Sequence, residues 1–268
     1  MMDYYSRFGM DENPFLKNSK EILFEATEFK EAQARLKLLE TTRGFGLLTG
    51  SAGKGKTTAI RVWTRSLNPS LFKVIYSSLS TLTVTEFYRN LASGLGLVPC
   101  YRKPDNFRMI QDEITRYAVE KRITPIIVID EANHIGNAIL NDLKILFNFE
   151  MDSRDRAIVL LAGLPQLNNT LNLTIHEPLR QRITMNYNME GLTKAESRLY
   201  IQEKLSAVHC SRQIFDDNAL EALANAANGV PRQLNKLCNA CLIIASSRNI
   251  DHIDSDIVMQ AISDSQLG

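Results

Sequence analysis

The stretch LLTGSAGKGKTTAIRVW, residues 47–63, decides the fold. Two apolar residues lead into a turn with three glycines, and a lysine and two threonines follow before a run that can begin a helix. This matches G-x-x-x-x-G-K-[ST], a pattern in which backbone amides and a helix N-terminus surround phosphate groups. An apolar strand before the turn and a helix after it are the context that makes the pattern informative. The stretch therefore predicts a phosphate-binding loop.

The residues of this loop have distinct predicted roles. Glycines allow backbone N–H groups to approach a polyanion without obstruction by β-carbons. Lys56 is expected to reach the terminal phosphates, and the Thr57 hydroxyl is expected to bind Mg²⁺. A glycine-rich turn with an incidental lysine is the alternative. The predicted nucleotide-binding residues are Gly50, Ser51, Ala52, Gly53, Lys54, Gly55, Lys56, Thr57 and Thr58.

The second informative stretch is PIIVIDEA, residues 125–132. Apolar residues at consecutive positions favour a strand that is covered on both faces, as in a parallel sheet. The strand ends in Asp130 and Glu131, and two acids there are costly unless a cation or a reaction uses them. We expect Asp130 to hold the Mg²⁺ shell and Glu131 to orient and polarise an attacking water. The alternative is a solvated acidic pair at a helix start, where the helix dipole favours acids.

Strands and helices alternate over the first 190 residues, which indicates an α/β doubly wound core. After about residue 190 the strand pattern stops and only helical patterns remain. We therefore predict a nucleotide-binding α/β domain at 1–190, with an N-terminal extension at 1–27, and a helical domain at 191–268. The predicted strands are 44–50, 71–80, 125–132 and 157–163, and the predicted helices of the first domain are 28–41, 84–96, 106–122 and 138–151.

Capping patterns locate the helices of the second domain. Thr193 and Glu196 form a capping-box signature before an apolar-periodic run. Asp217 is the predicted cap of the next helix, as Asp105 is for the helix at 106–122. Pro231 is expected in the first turn of a further helix.

Three arginines are candidates for contacts with phosphate. Arg180 and Arg182 lie in HEPLRQRITM, 176–185, and phosphoryl transfer gains when an arginine meets the charge on the γ-phosphate. Arg232 follows Pro231, in a first helical turn where the dipole disfavours a cation unless an anion is bound. For all three, an ordinary exposed arginine is the alternative.

Composition limits the class of protein. The chain has 268 residues with 31 Lys and Arg against 30 Asp and Glu, a formal charge of +1. Because there is no charged tail, any contact with nucleic acid must come from a local patch. Four cysteines in a chain of this size do not indicate a disulfide framework. We see no signal peptide or membrane-spanning run, and we expect a soluble cytoplasmic protein without membrane contact.

The ordered set of motifs resembles the AAA+ ATPases, and more closely their ExeA-type branch. The resemblance covers nearly the whole chain and is carried by YYSRFGMDENPF (4–15), GFGLLTGSAGKGKTT (44–58), PIIVIDEANHI (125–135), LLAGLPQLNNTL (160–171) and NGVPRQLNKLCNACLIIA (228–245). It implies a P-loop AAA+ parallel sheet flanked by helices, followed by a small helical lid domain, and ATP hydrolysis with Mg²⁺ between neighbouring subunits.

The resemblance also assigns individual residues. The ATP and Mg²⁺ positions fall on Lys56, Thr57, Asp130 and Glu131, the trans-acting arginine finger on Arg182 or Arg180, and the lid arginine called sensor 2 on Arg232. One departure concerns sensor 1, a polar residue after the fourth strand, where this chain has Leu164. Gln166 or Asn168 is the expected replacement. Without one, hydrolysis would be slow and the protein would act as a nucleotide-dependent switch.

Stand-alone chains of this size in the branch are similar to transposition helpers of the TnsC, TniB and MuB group. These polymerise on DNA with ATP and recruit or activate a transposase. The implied partners are further copies in a ring or helical filament, double-stranded DNA, a transposase and a target-selection protein.

Arg102 and Lys103 are the candidate DNA contacts, with Lys73 and Arg108 as weaker ones, because a modest charge per subunit sums over an oligomer. A solvated loop is the alternative for each of them. Two other functions remain open at this point. The first is an ATPase for secretion or cell-envelope assembly without DNA binding, and the second is an ATP-binding scaffold with little turnover.

Overall fold

The structure is a computed structural model that describes residues 4–19, 22–78 and 81–265. The last two residues of the predicted strand 71–80 lie outside the described residues. So do residues 1–3 and 20–21 of the predicted N-terminal extension and residues 266–268 of the predicted helical domain.

A five-stranded parallel sheet is the centre of one compact unit, residues 31–51 and 56–189. The spatial order of the strands is β2-β3-β4-β1-β5. The inner strands are buried along their whole length, which confirms the prediction of a parallel sheet from consecutive apolar residues. Because all pairs are parallel, the carboxyl ends of the strands lie at one edge. The strands are β1 (Gly44–Gly50), β2 (Phe72–Ser77), β3 (Thr124–Ile129), β4 (Ile158–Gly163) and β5 (Ile183–Met189).

Strand β5 was not predicted from the sequence. It pairs with β1 at the edge of the sheet, and its residues alternate in burial, so no continuous apolar run marks it. Strand β2, at the other edge, ends at Ser77 and is shorter than predicted.

Helices cover the sheet, and several of their ends differ from those that the apolar periodicity predicted. They are α1 (Thr27–Thr42), α2 (Lys56–Ser66), α3 (Val84–Leu95), α4 (Lys103–Thr115), α5 (Asn137–Leu146), α6 (Gln166–Leu171) and α7 (Glu177–Arg180). A π-helical turn, Arg116–Glu120, extends α4.

Two predicted helix ends were wrong. Helix α4 begins at Lys103, with Arg102 at the cap position and Asp105 inside the first turn, because a proline at the second helical position already has the required φ. Helix α5 ends at Leu146 and not at 151. Phe147 and Phe149 are both buried, and residues two apart cannot share one face of a helix.

The second compact unit comprises the described residues within 1–30, 52–55 and 190–268. Its helices are α8 (Lys194–Ser206), α9 (Asp217–Ala227), α10 (Pro231–Ser247) and α11 (Ser255–Ser265). Helix α10 begins at the proline that the sequence indicated.

The N-terminal segment packs inside this helical unit, whereas residues 1–27 are predicted as an extension of the α/β domain. Phe8, Met10 and Phe15 are buried among the apolar side chains of the C-terminal helices. The buried ammonium of Lys204, on α8, donates a hydrogen bond of 2.6 Å to the carbonyl of Pro14. Apolar burial and this hydrogen bond therefore hold the segment in the helical unit.

Helix caps in this unit confirm one prediction and correct another. Thr193 and Glu196 form the predicted capping box at the start of α8. Burial alone would raise the pKa of Glu196, but hydrogen bonds from Thr27 and Thr193 lower it to about 2. The cap of α9 is Asp216, which accepts a hydrogen bond from the Ala219 amide at 2.6 Å, so the prediction of Asp217 was wrong by one residue.

Within the described part of the chain, no helix is both long enough and apolar enough to cross a bilayer.

Candidate nucleotide-binding site

The glycine-rich turn between β1 and α2 adopts a backbone that requires glycine. Gly53 has φ +79° and Gly55 has φ +101°, values that disfavour residues with a β-carbon. A β-carbon at Gly53 would also lie 2.8 Å from Cβ of Arg232 and 2.9 Å from Cγ1 of Val230. Glycine at these positions therefore lets the main chain of the turn lie close to its neighbours.

Lys56 places a buried cation at this turn. It is the first residue of α2 and is 6% exposed. Its ammonium donates to the carbonyls of Gly50, at 2.6 Å, and Ser51, at 3.1 Å. The ammonium and the helix N-terminus both attract anions, so the residues present fit a bound phosphate chain.

Thr57 and Asp130 are brought together from positions 73 residues apart. The Thr57 hydroxyl donates to Asp130 Oδ2 at 3.0 Å, and Asp130 is 4% exposed at the end of β3. Hydroxyl and carboxylate oxygens are ligands or outer-shell partners that Mg²⁺ prefers. The donor set therefore fits the predicted metal.

Tyr76 also belongs to this group, although no sequence pattern indicates it. Its hydroxyl donates to the same Asp130 Oδ2 at 2.7 Å. Tyr76 lies on β2, which pairs with β3. The register of two parallel strands brings the two side chains together, and no local sequence pattern reports that register.

The backbone of Glu131, just after β3, has an unusual conformation. Its φ is +52° and its ψ is +37°, a left-handed conformation that is costly for a residue with a β-carbon and recurs at functional sites. Its amide donates to Asp130 Oδ1 at 3.0 Å, and its side chain is exposed. The turn therefore separates the two acids, with Asp130 inside and Glu131 at the solvent, where a carboxylate can act on water.

The two expected replacements for sensor 1 differ in position. The Asn168 amide donates to the Thr49 hydroxyl at 3.2 Å, and Thr49 directly precedes the glycine turn. Thr49 in turn donates to Asn188 at 3.1 Å. Gln166 is exposed at the start of α6. The structure therefore favours Asn168 for the polar position near the loop, and its catalytic role stays a prediction.

The three candidate arginines are held in different ways. Arg182 is half-buried and donates to the carbonyl of Lys144 at 2.6 Å, and Arg180 is exposed and donates to the carbonyl of Asn172 at 3.2 Å. Arg232 is exposed in the first turn of α10, with its β-carbon beside Gly53 of the glycine turn. Their roles as arginine finger and sensor 2 stay predictions.

The two candidate DNA contacts, Arg102 and Lys103, also differ in their surroundings. The ammonium of Lys103 is 2.6 Å from Asp142 Oδ2 and lies 5.5 Å from the ring centroid of Tyr88, so this cation already has partners. Arg102 is exposed. The loop that carries it is fixed by the buried Asn106, which donates to the carbonyls of Cys100, at 2.9 Å, and of Arg102, at 3.1 Å. Arg102 is therefore better placed than Lys103 for a contact with DNA.

Comparison with known proteins identifies the fold. Residues 39–171 match the family described as AAA domain. Cdc6p from Pyrobaculum aerophilum superposes with a TM-score of 0.71 at 15% sequence identity, over 96% of this chain and 72% of that chain. This likeness concerns the fold alone.

Two relatives are similar in sequence. General secretion pathway protein A of Aeromonas hydrophila is 30% identical over 97% of this chain and 48% of its own length, so the chain spans about half of that protein. The ATP-dependent target DNA activator B of Escherichia phage D108 is 24% identical over 91% of this chain and 73% of its own length. The chain therefore has the P-loop AAA+ fold, and it is related to the secretion-pathway protein and, more distantly, to the phage activator.

Proposed function

We propose that this chain binds and hydrolyses ATP with Mg²⁺ as an oligomeric regulator that binds DNA and recruits or activates a transposase. The observation that carries the ATPase part is the contact between Thr57 and Asp130, next to the buried ammonium of Lys56. The pair of Thr57 and Asp130 suits a metal, and the Lys56 ammonium suits phosphate. Lys56 and Thr57 are adjacent at the start of α2, and Asp130 reaches Thr57 from the end of β3.

The residues have separate tasks in the proposed reaction. Loop amides and Lys56 bind and orient the phosphates, while Thr57 and Asp130 would hold Mg²⁺. When bound, this metal neutralises charge on the phosphate oxygens. Glu131 orients the attacking water and accepts its proton, since its carboxylate is exposed at the edge of the sheet. Arg182 of a neighbouring copy is the proposed arginine finger, which would add a positive charge beside the γ-phosphate.

The DNA-binding part has weaker support. The D108 relative is an activator of target DNA by its name, and Arg102 is exposed on a loop that Asn106 fixes. With a formal charge of +1, one copy offers little attraction to phosphates, so binding would depend on several copies in a ring or filament. A transposase and a target-selection protein are the proposed partners of that assembly.

The decisive experiment measures ATP hydrolysis and sedimentation with and without duplex DNA. We expect DNA to raise the hydrolysis rate and to sediment with the protein only when ATP is present. The name of the Aeromonas relative supports an alternative, a secretion or envelope-assembly ATPase, which predicts hydrolysis that DNA does not change. Absence of both effects would overturn the transposition proposal.

Replacing Arg102 with alanine is expected to weaken DNA binding at low salt. The slope of the logarithm of the binding constant against the logarithm of the salt concentration should also fall in magnitude by about one for each bound copy. The reason is the loss of one phosphate contact per subunit. Fluorescence anisotropy of labelled duplex at several salt concentrations measures both quantities. Arg212→Ala, which removes the same charge from another exposed position, is the control. Equal effects of the two substitutions would show that only net charge matters.

A further inference from the structure

The Asp130 carboxylate is held by three donors from three parts of the chain. Oδ2 accepts the Thr57 hydroxyl at 3.0 Å and the Tyr76 hydroxyl at 2.7 Å. Oδ1 accepts the Glu131 amide at 3.0 Å. Thr57 lies just after the glycine-rich turn in sequence, and Glu131 lies just after the end of β3. Tyr76 is the remote member, and its phenol makes the shortest of the three contacts.

The placement of Tyr76 suits a fixed donor. It lies next to the last residue of β2, which is hydrogen-bonded to β3 up to the residue before Asp130. The Asp130 amide also donates to the Ser77 carbonyl at 3.0 Å, so the main chains of the two strand ends are tied together. A tyrosine hydroxyl is protonated at neutral pH, so Tyr76 can act as the donor in this contact.

The side chain of Tyr76 is not needed to fill the core. The residue is 50% exposed, whereas its neighbour Ile75 is 4% exposed and packs in the interior. A half-exposed aromatic residue at a strand end gives up little burial energy when it is replaced. The contact with Asp130 is thus the specific feature of this position.

We propose that the Tyr76 hydroxyl is a positioning group that fixes the Asp130 carboxylate for the divalent metal and thereby raises the metal affinity of the site. This inference rests on the proposed binding of ATP and Mg²⁺. Hydrogen bonds to metal-binding carboxylates orient them, and removal of such partners reduces metal affinity about tenfold or more. Tyr76 acts here through Asp130, without itself contacting the substrate.

The test uses the full chain, Tyr76→Phe, and Mn²⁺ as the probe. Mn²⁺ is titrated into equimolar protein and a non-hydrolysable ATP analogue, and the free ion is followed by electron paramagnetic resonance. We expect the half-saturating Mn²⁺ concentration to rise about tenfold in the variant. The affinity for a fluorescent ATP analogue in the presence of EDTA should stay the same, because the loop and Lys56 are unchanged.

The control is Tyr117→Phe, which removes a hydroxyl from another partly buried tyrosine of the sheet unit. Its Mn²⁺ curve should coincide with that of the wild type, and thermal unfolding should show that both variants are folded. Coincident curves for Tyr76→Phe and the wild type, with normal nucleotide uptake, would overturn this inference alone. Equal weakening of metal-free nucleotide binding would also overturn it, because a positioning role through Asp130 predicts a metal-dependent effect. Absence of nucleotide uptake by the wild type would instead overturn the proposed function and this inference with it.

Discussion

Replacing Glu131 with glutamine is expected to lower the rate of ATP hydrolysis at least about a hundredfold, with nucleotide affinity nearly unchanged. Glutamine keeps the length of the side chain and can still hydrogen-bond water, but it cannot accept the proton. The Glu131 amide would continue to donate to Asp130, because that contact is made by the main chain. The loss should therefore be confined to the chemical step.

Single-turnover hydrolysis of radiolabelled ATP measures this step directly, and equilibrium binding of a fluorescent analogue measures affinity. Glu203→Gln, at an exposed position of α8, makes the same chemical change away from the loop and should hydrolyse ATP normally. If Glu131→Gln matched an active wild type, Glu131 would not be the base. If the wild type were as slow as the variant while binding ATP, the scaffold hypothesis would be correct, in agreement with Leu164 at the sensor 1 position.

Gly53→Ala is expected to abolish nucleotide binding under ordinary assay conditions. Its φ of +79° costs about 1–2 kcal/mol for a residue with a β-carbon. The new β-carbon would also meet Arg232 at 2.8 Å and Val230 at 2.9 Å, so the turn must move and its amides would no longer converge. The affinity for a fluorescent ATP analogue, together with thermal unfolding, measures the result.

Gly136→Ala is a matched control for this substitution. Gly136 has φ −70°, and a β-carbon there would meet nothing within 4 Å. This variant should bind nucleotide and unfold as the wild type does. Normal nucleotide binding by Gly53→Ala would contradict the assignment of the turn as the phosphate site.

The sequence predicts the parts of the fold that depend on local patterns. Consecutive apolar residues at 125–129 predict a strand buried on both faces, and β3 has that environment. The glycine pattern and the acids after β3 predict that Thr57 and Asp130 lie together. The Thr57 hydroxyl oxygen is 3.0 Å from Asp130 Oδ2. The strand and this short distance agree with the sequence because one periodicity or one chemical requirement fixes each of them, and metal binding by the pair stays a prediction.

Features that depend on distant partners were not predictable. The interaction of Lys103 with Asp142 gives a candidate DNA contact a partner within the chain, and no pattern near either residue indicates it. Tyr76 reaches Asp130 only through the register of β2 and β3. Asp216 and Asp217 are chemically equal as caps. The structure places Asp216 at the cap position, where its amide donates to the Ile253 carbonyl at 3.1 Å.

The hydrogen bond from Lys204 to Pro14 joins residues 190 apart and has a consequence for biosynthesis. On the ribosome, the segment at 4–15 emerges long before the helices that bury its phenylalanines have been made. Its aromatic side chains stay unburied, accessible to chaperones and proteases, while the intervening chain is translated. The helical unit therefore completes its folding only after its C-terminal helices have been made, and closure of this long loop adds to the time that folding takes.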